Sequence, residues 1–508
     1  MADTGILAEG DLNSPEERKR ALYAAFGTHD ARFDGQVFVG VSSTGIYCRP
    51  VCTASLPKYG NCTFFRSAAE AEAAGFRPCM NCRPETAPGR SAADARSSLA
   101  RRAAALLQAE CPSGAGMEAL ATKLGYTDRH LRRAFQGEFG VTPLQYLQTC
   151  RLLLAKSLLT DTSLPVAQVA EAAGFGSVRR FNDTFKKHYR LRPSDLRKRK
   201  RATRGTAEGI TLHLGYRPPY RFDLLLSFFA SRAIEGVENV QDGAYLRTVR
   251  LPLPDGGVAA GWVRVADDPK RHALAVTLSE SLLPCTAAVA ARVRRQWDTD
   301  CDPLAVQEGI ASLDDAVPGA AVAGTRLPGC FEPFETACRA VLGQQVSVAA
   351  ANRFAARIAQ GFGVPIDTGV EGLERAFPTP DEVLALDDIE GAFGPCGVIR
   401  SRSRTIAELA RLTQEGLLDF GPDALIDEQF ERLLAVKGIG PWSAGYIAMR
   451  TLGFTDAFLE TDAGIAHALP KLSPKERLAL AEQWRPWRSY ANICLWNSLG
   501  AGTEDDCD

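Results

Sequence analysis

No apolar run in this 508-residue sequence approaches the roughly 20 residues of a membrane-spanning helix. Residues 1–13 are acidic and lack the apolar core of a signal peptide. A cytoplasmic protein with no membrane partner is therefore expected. Net charge is also nearly absent, at −1, but it is unevenly spread. Residues 1–205 carry 31 Lys+Arg against 19 Asp+Glu, whereas residues 206–508 carry 28 against 41. The first part suits charge-driven association with a polyanion, and the second must rely on a local surface. One core cannot serve a chain of this length, so three to four domains are expected. Cysteine, by contrast, is plentiful. A reducing cytoplasm would keep the 14 residues as thiols, so close pairs point to metal binding rather than disulfides.

The stretch Leu433-Leu-Ala-Val-Lys-Gly-Ile-Gly-Pro-Trp-Ser-Ala-Gly-Tyr446 carries the clearest signal. Leu433, Leu434 and Val436 end one helix, Gly438-Ile439-Gly440 make a turn too tight for side chains, and Ser443, Ala444, Ile447, Ala448 and Met449 begin a second helix. Such a helix-hairpin-helix lets a DNA backbone approach Gly438 and Gly440 and offers a phosphate unpaired N–H groups at a positive dipole end. The same clamp occurs in proteins that do no chemistry. Asp462, placed just before another apolar segment, adds a carboxylate. Breaking a bond from sugar C1′ to a base nitrogen builds an oxocarbenium-like cation, which a carboxylate can stabilise while it orients or deprotonates a water. The plainer role for Asp462 is to cap the following helix, and one residue can do both.

With Leu342-Gly-Gln-Gln-Val-Ser347 and Trp484-Arg-Pro-Trp-Arg-Ser-Tyr490, this stretch resembles the helix-hairpin-helix, Gly/Pro-rich, Asp superfamily of DNA glycosylases. Within it the AlkA type, the 3-methyladenine DNA glycosylase II family, is most similar, from about residue 212 to 499. The resemblance implies Asp462 as the catalytic carboxylate. It also implies an electron-rich pocket for a cationic alkylated purine, built from Trp442, Tyr446, Trp496 and Phe228. Phe228 lies in an apolar run, 224–229, that reads equally well as core. Gln345 stands where such enzymes carry a leucine wedge that fills the gap left by a flipped base. Trp442 stands where strand-cutting members carry a Schiff-base lysine, so base removal without strand cleavage is expected.

Near the other end, Cys48 and Cys52 form C-x3-C, and Cys79 and Cys82 form C-x2-C. Four thiols so paired predict a zinc (Zn²⁺) site, with Cys62 outside it as a structural residue. The surrounding Thr44-Gly-Ile-Tyr-Cys-Arg-Pro50 and Ala73-Ala-Gly-Phe-Arg-Pro-Cys79 resemble the N-terminal domain of the Ada family. There the first cysteine accepts a methyl group from a DNA methylphosphotriester, which implies that role for Cys48. Four thiolates on one Zn²⁺ make a nucleophilic site of net charge about −2, and alkylating one lowers the repulsion from DNA phosphates. Methylation should therefore raise DNA affinity, once per protein.

Between these ends, two related units each place a short apolar helix, a glycine turn, a Thr or Ser cap and a second helix, about 50 residues apart. Leu131 and Phe135 in the first, and Val178, Phe181 and Phe185 in the second, are read as buried. The opposite faces carry Arg129, Arg132, Arg133 and Gln136, or Arg179, Arg180, Asn182 and Lys186, suited to a major groove. Residues 97–205 hold 20 basic against 8 acidic side chains. This segment resembles the AraC-type regulator domain through Phe139-Gly-Val-Thr-Pro-Leu-Gln-Tyr146 and His188-Tyr-Arg-Leu-Arg-Pro193. Arg197-Lys-Arg-Lys-Arg201 with Arg204 reads as a linker adding non-specific affinity.

The expected fold is multidomain and mainly α: a small α/β zinc module at 14–90, a tandem helix-turn-helix at 97–200, a small α+β subdomain at 206–325 and an all-α helix-hairpin-helix glycosylase domain at 326–500. No cysteine quartet follows the hairpin, so an iron–sulfur cluster is not expected. Pro395-Cys396-Gly397-Val398 does not match the Pro-Cys-His-Arg motif of a second methyl acceptor, which leaves Cys396 ordinary. The sequence thus reads as an alkylation-response protein. A methyl-activated transcriptional regulator is fused to a monofunctional glycosylase for 3-methyladenine-type bases. Its expected partners are alkylated and promoter double-stranded DNA and RNA polymerase, as a monomer in the cytoplasm near the nucleoid. The competing reading is a non-enzymatic regulator whose rear half only grips damaged DNA.

Overall fold

The computed structural model describes residues 14–89, 98–109, 117–199, 209–253 and 256–500. The tail at 501–508 and the linker beyond residue 199 lie outside the described residues. Helix α1 (Pro15–Gly27) begins where Ser14 accepts from the Glu17 amide, with Pro15 in the first turn. It leads into strands β1 (Phe38–Val41), β2 (Ile46–Cys48), β3 (Cys62–Phe65) and β4 (Arg77–Pro78), with α2 (Ala68–Ala73) before β4. They form one mixed sheet ordered β3-β1-β2-β4. The parallel pairing of Tyr47 with Pro78 brings Cys48, at the end of β2, beside Cys79, just past β4. Residues 31 apart in sequence are thereby neighbours.

Seven helices follow: α3 (Ser98–Ala109), α4 (Met117–Lys123), α5 (Asp128–Phe139), α6 (Pro143–Asp161), α7 (Val166–Ala172), α8 (Val178–Tyr189) and α9 (Pro193–Arg199). Gly125 and Gly174 turn α4 into α5 and α7 into α8 with φ of +77° and +75°, a conformation that favours glycine. Thr127 and Ser177 cap α5 and α8 by accepting from the amides of His130 and Arg180. Leu131, Phe135, Phe181 and Phe185 are fully buried, but Val178 is 40% exposed. Val178 opens its helix, one turn before the buried face begins, so the periodicity that made it look buried does not apply there.

The rear half begins with β5 (Ile210–Gly215) and α10 (Phe222–Ala230), followed by β6 (Glu238–Gln241), β7 (Ala244–Pro252), β8 (Val258–Asp268) and β9 (Ala273–Leu278). These strands make an antiparallel sheet ordered β5-β9-β8-β7-β6. Helices α11 (Thr286–Gln296), α12 (Pro303–Gly309) and α13 (Leu313–Ala316) lead to the helical part. One helical core is built from α14 (Pro333–Leu342), α15 (Val348–Phe362), α16 (Pro380–Leu384), α17 (Ile389–Phe393), α18 (Arg400–Gln414), α19 (Ile426–Ala435) and α20 (Pro441–Ile447). A second core joins α12 and α13 to α21 (Ala463–Ala468), α22 (Pro474–Ala481) and α23 (Arg488–Gly500). Tyr446 packs against both cores. None of the described helices is long and apolar enough to cross a membrane.

The halves do not hang on a tether. One continuous apolar cluster runs from Leu152, Phe181 and Phe185 of the helix-turn-helix unit to Leu214, Val265 and Trp297 of the rear half. Arg217, buried, donates to the carbonyls of Asp34 (3.1 Å) and Gly89 (3.0 Å) in the zinc module.

Candidate active site, zinc centre and DNA interface

The hairpin between α19 and α20 places Gly438 at φ +96°, where a Cβ would lie 2.3 Å from Thr405 Oγ1. Gly440 differs. Its backbone is extended and a Cβ there would meet nothing within 4 Å, so the space above Gly440 is open to a ligand rather than filled by protein. The expected tightness holds for the first glycine and not for the second. Gln344 braces the turn by donating to Gly438 O and Ser443 Oγ, each at 2.9 Å.

Trp442, Tyr446 and Arg450 recur every fourth residue after the hairpin and so share one face. Trp442 and Tyr446 stack at 5.3 Å with planes 6° apart, and Tyr446 lies 6.4 Å from Trp496. Asp462 caps α21, its Oδ1 accepting from the Ile465 amide at 3.1 Å. The same carboxylate accepts from both tryptophans, Trp442 Nε1 to Oδ2 at 3.0 Å and Trp496 Nε1 to Oδ1 at 2.8 Å. Three N–H donors thus fix a half-buried acid against an aromatic wall, at the seam of the two helical cores.

Arg450 was not singled out by the sequence reading, although its spacing from Tyr446 was a usable signal. It donates to Tyr446 Oη (2.6 Å) and to the carbonyls of Pro328 and Gly329. Burial opposes ionisation of the Tyr446 hydroxyl, but Arg450, with Arg232 and Arg339, outweighs it and lowers the group below its usual range. Phe228 is buried, with the guanidiniums of Arg232 and Arg450 at 3.8 and 4.8 Å from its ring centroid. Gln345 is exposed at the α14–α15 loop with φ +54°, a left-handed backbone uncommon outside glycine.

In the zinc module, ligand atoms of Cys48, Cys52, Cys79 and Cys82 lie within 4.8 Å of one another. The amides of Arg49 and Asn81 point at the sulfurs of Cys82 (3.3 Å) and Cys79 (3.4 Å), as suits anionic thiolates. An all-sulfur quartet in two close pairs fits tetrahedral Zn²⁺. Cys62 sits in β3 outside the quartet. Cys48 is 7% exposed, and Cys82 is the more open of the four.

On the helix-turn-helix units, Arg129, Arg132, Arg133, Arg179, Arg180, Asn182 and Lys186 are all exposed. Arg132 is partly engaged with Asp128 of its own helix at 2.8 Å, and Gln136 donates to Gly140 O at the helix end.

Four family models match in the order in which these units occur. They are the metal binding domain of Ada over residues 21–85, a helix-turn-helix domain over 120–199, the AlkA N-terminal domain over 211–332, and the HhH-GPD superfamily base excision DNA repair protein over 338–484. A Mycobacterium tuberculosis protein named probable bifunctional transcriptional activator/DNA repair enzyme AlkA is 39% identical, across 94% of this chain and 96% of its own. DNA-3-methyladenine glycosylase 2 of Escherichia coli is 36% identical, across 56% of this chain and 97% of its own. The bifunctional transcriptional activator/DNA repair enzyme Ada of Escherichia coli is 39% identical, across 29% of this chain and 41% of its own. The chain therefore belongs to the family of bifunctional activator/DNA repair proteins that join an Ada-type zinc and helix-turn-helix front to an AlkA-type glycosylase.

Proposed function

We propose that the chain excises alkylated bases of the 3-methyladenine kind with its rear half and senses DNA methylation damage with its front half. Its working units are taken as residues 14–90, 97–200, 206–325 and 326–500. The observation that carries the first activity is the carboxylate of Asp462 held between Trp442 and Trp496. Gly440, on the turn that Gly438 closes against Thr405, would admit the DNA backbone, Gln345 would enter the duplex, and the flipped base would meet Trp442, Tyr446 and Trp496, with Phe228 behind them. As the C1′–N bond breaks, Asp462 stabilises the positive sugar, and water adds to C1′ to leave an abasic site. No lysine stands at position 442 to form a Schiff base, which supports base release without strand cleavage.

For the front half, Zn²⁺ held by Cys48, Cys52, Cys79 and Cys82 would keep the sulfurs as thiolates at neutral pH. The Cys48 sulfur attacks the methyl carbon of a phosphotriester, an S–C bond forms, the C–O bond breaks, and a phosphodiester anion departs. The loss of one negative charge favours DNA, and Arg129, Arg132, Arg133, Arg179, Arg180, Asn182 and Lys186 then read a promoter. RNA polymerase is the partner this regulation implies. The protein would act as a monomer in the cytoplasm, close to the nucleoid.

The test is release of 3-methyladenine from alkylated duplex by Asp462→Asn. The amide keeps the cap but presents an N–H₂ to an indole donor and carries no charge, so base release should be lost. Unchanged release would remove Asp462 from the mechanism. Methyl uptake from methylphosphotriester DNA should vanish in Cys48→Ala, and uptake that persisted would move the acceptor role elsewhere.

A further inference from the structure

Arg232 lies just past the end of α10, and its guanidinium covers the Phe228 ring at 3.8 Å from the centroid. Its Nη1 donates to Ser231 Oγ (2.9 Å) and to Phe228 O (3.4 Å), and the Tyr446 hydroxyl stands beside the same group. A half-buried cation thus borders Phe228 and Tyr446, both taken above as walls of the base pocket. We propose that Arg232 is a specificity-determining residue of that pocket, donating hydrogen bonds to the carbonyl edge of a flipped oxo-purine such as an N7-alkylated guanine. The inference rests on base excision as the activity of the rear half.

Four arginines surround Tyr446 and Phe228, and three of them are spent on the fold. Arg339 meets Glu238 (2.8 Å) and Glu335 (3.3 Å), and Arg247 faces the same two carboxylates at 3.7 and 2.8 Å. Arg450 is buried and gives its donors to Tyr446 Oη and the carbonyls of Pro328 and Gly329. Arg232 is the one that is both partly exposed and without a carboxylate partner among the described residues. Burial holds it below the usual guanidinium range against the pull of the Tyr446 hydroxyl, with Arg450 and Arg339 adding to the effect. A guanidinium carries only donors, five N–H groups in a planar fork, and these contacts leave part of the fork open. It therefore favours an edge that accepts. The carbonyl oxygen of a guanine-type base accepts, whereas the amino group of an adenine-type base at the same ring position sets N–H against N–H. The contact also strengthens during the reaction. As the C1′–N bond breaks, its electron pair passes to the base, and the carbonyl oxygen takes up part of that charge. A phosphate is the poorer occupant, because the guanidinium lies against the aromatic wall while the open part of the backbone turn is at Gly440.

The test is single-turnover release of 7-methylguanine and of 3-methyladenine from one alkylated duplex by the full zinc-loaded chain and its Arg232→Met and Arg232→Lys variants. Methionine keeps an apolar stem over Phe228 and removes every donor, and lysine restores one charged donor. Release of 7-methylguanine should fall at least about tenfold in Arg232→Met, the loss expected when a donor to a developing charge is removed, while 3-methyladenine release stays within about threefold of the parent. Arg232→Lys should give an intermediate ratio of the two bases. Because the ratio is read within one preparation, a partly unfolded variant cannot produce it. An equal fall for both bases, the mark of a phosphate contact or a disturbed pocket, overturns the proposal, and so does a ratio that neither variant changes. A parent chain that released neither base would sink the excision reading itself, and this one with it.

Discussion

The indole N–H of Trp496 donates to Oδ1 of Asp462 at 2.8 Å, while that of Trp442 donates to Oδ2 at 3.0 Å, both rings packing against the second helical core. Each indole holds one oxygen, so the carboxylate plane is set by two side chains far apart in sequence. Trp496→Phe keeps a ring but removes one donor. A hydrogen bond to a charged group is worth about 1.5–3 kcal/mol, so single-turnover base release should fall roughly 10- to 100-fold. Affinity for abasic duplex should change little, because the hairpin is untouched.

The two hairpin glycines should fail differently when given a methyl group. Gly438→Ala forces φ +96° on a side-chain residue and drives its Cβ toward Thr405 Oγ1, which should cost about 1–3 kcal/mol of stability. Gly440→Ala has free space, so the unfolding midpoint should hold while duplex affinity drops. Denaturant unfolding and duplex binding on both variants separate the structural glycine from the one facing the ligand.

How much of this was legible beforehand depended on how local the signal was. The hairpin, the cysteine pairs and the capped helices of the regulator unit are short-range patterns, and the quartet, Asp462 and the exposed arginines lie where those patterns imply. Strands β5 and β6 carry no such pattern. Strand β5 is six residues with an imperfect alternation, and β6 is a polar edge, Glu-Asn-Val-Gln, whose strand character comes from its pairing with β7. Arg217 and the core shared by the halves were out of reach for a different reason. Each depends on contacts between segments with no common local pattern, such as Arg217 with Gly89. The role of Gly440 as open space, against Gly438 as a packing necessity, likewise needs the neighbouring helix that carries Thr405.

Glu72 makes the joint between the zinc module and the helix-turn-helix unit sensitive to pH. It is buried beneath Tyr47, Thr149 and Tyr189, which donate to it at 3.1, 3.0 and 3.2 Å. Burial raises its carboxyl from 4.5 to about 7, against those hydrogen bonds. The folded state then holds a proton that the unfolded chain has released, so stability falls as pH rises from about 4.5 to 7 and levels off above. Burial lowers the imidazole of His188, 3.9 Å from Glu72, which makes stability rise with pH near its own titration, opposite to Glu72. Comparison with Glu72→Gln isolates the carboxyl. The variant should gain on the parent chain by roughly 1–3 kcal/mol between pH 5 and 7, read as a difference in urea midpoints, and a constant difference across that range would refute the assignment.

Lys156 is the deepest cation in the front half, 1% exposed, paired with Glu85 and donating to Cys79 O at 3.3 Å. Burial alone would raise the Glu85 carboxyl, but Lys156 and Arg83 hold it below its usual range. Lys156→Met leaves that buried carboxylate with Arg83 alone, which Asp161 also claims. Breaking such a pair from one side costs about 3–5 kcal/mol. Removing both charges in Lys156→Met/Glu85→Leu should recover part of that loss, since no buried carboxylate is then left short of a partner. The carbonyl of Cys79 loses its donor in either variant, so zinc should pass to a chromophoric chelator faster than from the parent chain in both. Stability that recovers while zinc release stays fast would mark the ammonium as a support of the metal site as well as a counter-charge, and slow release in both variants would confine Lys156 to the ion pair.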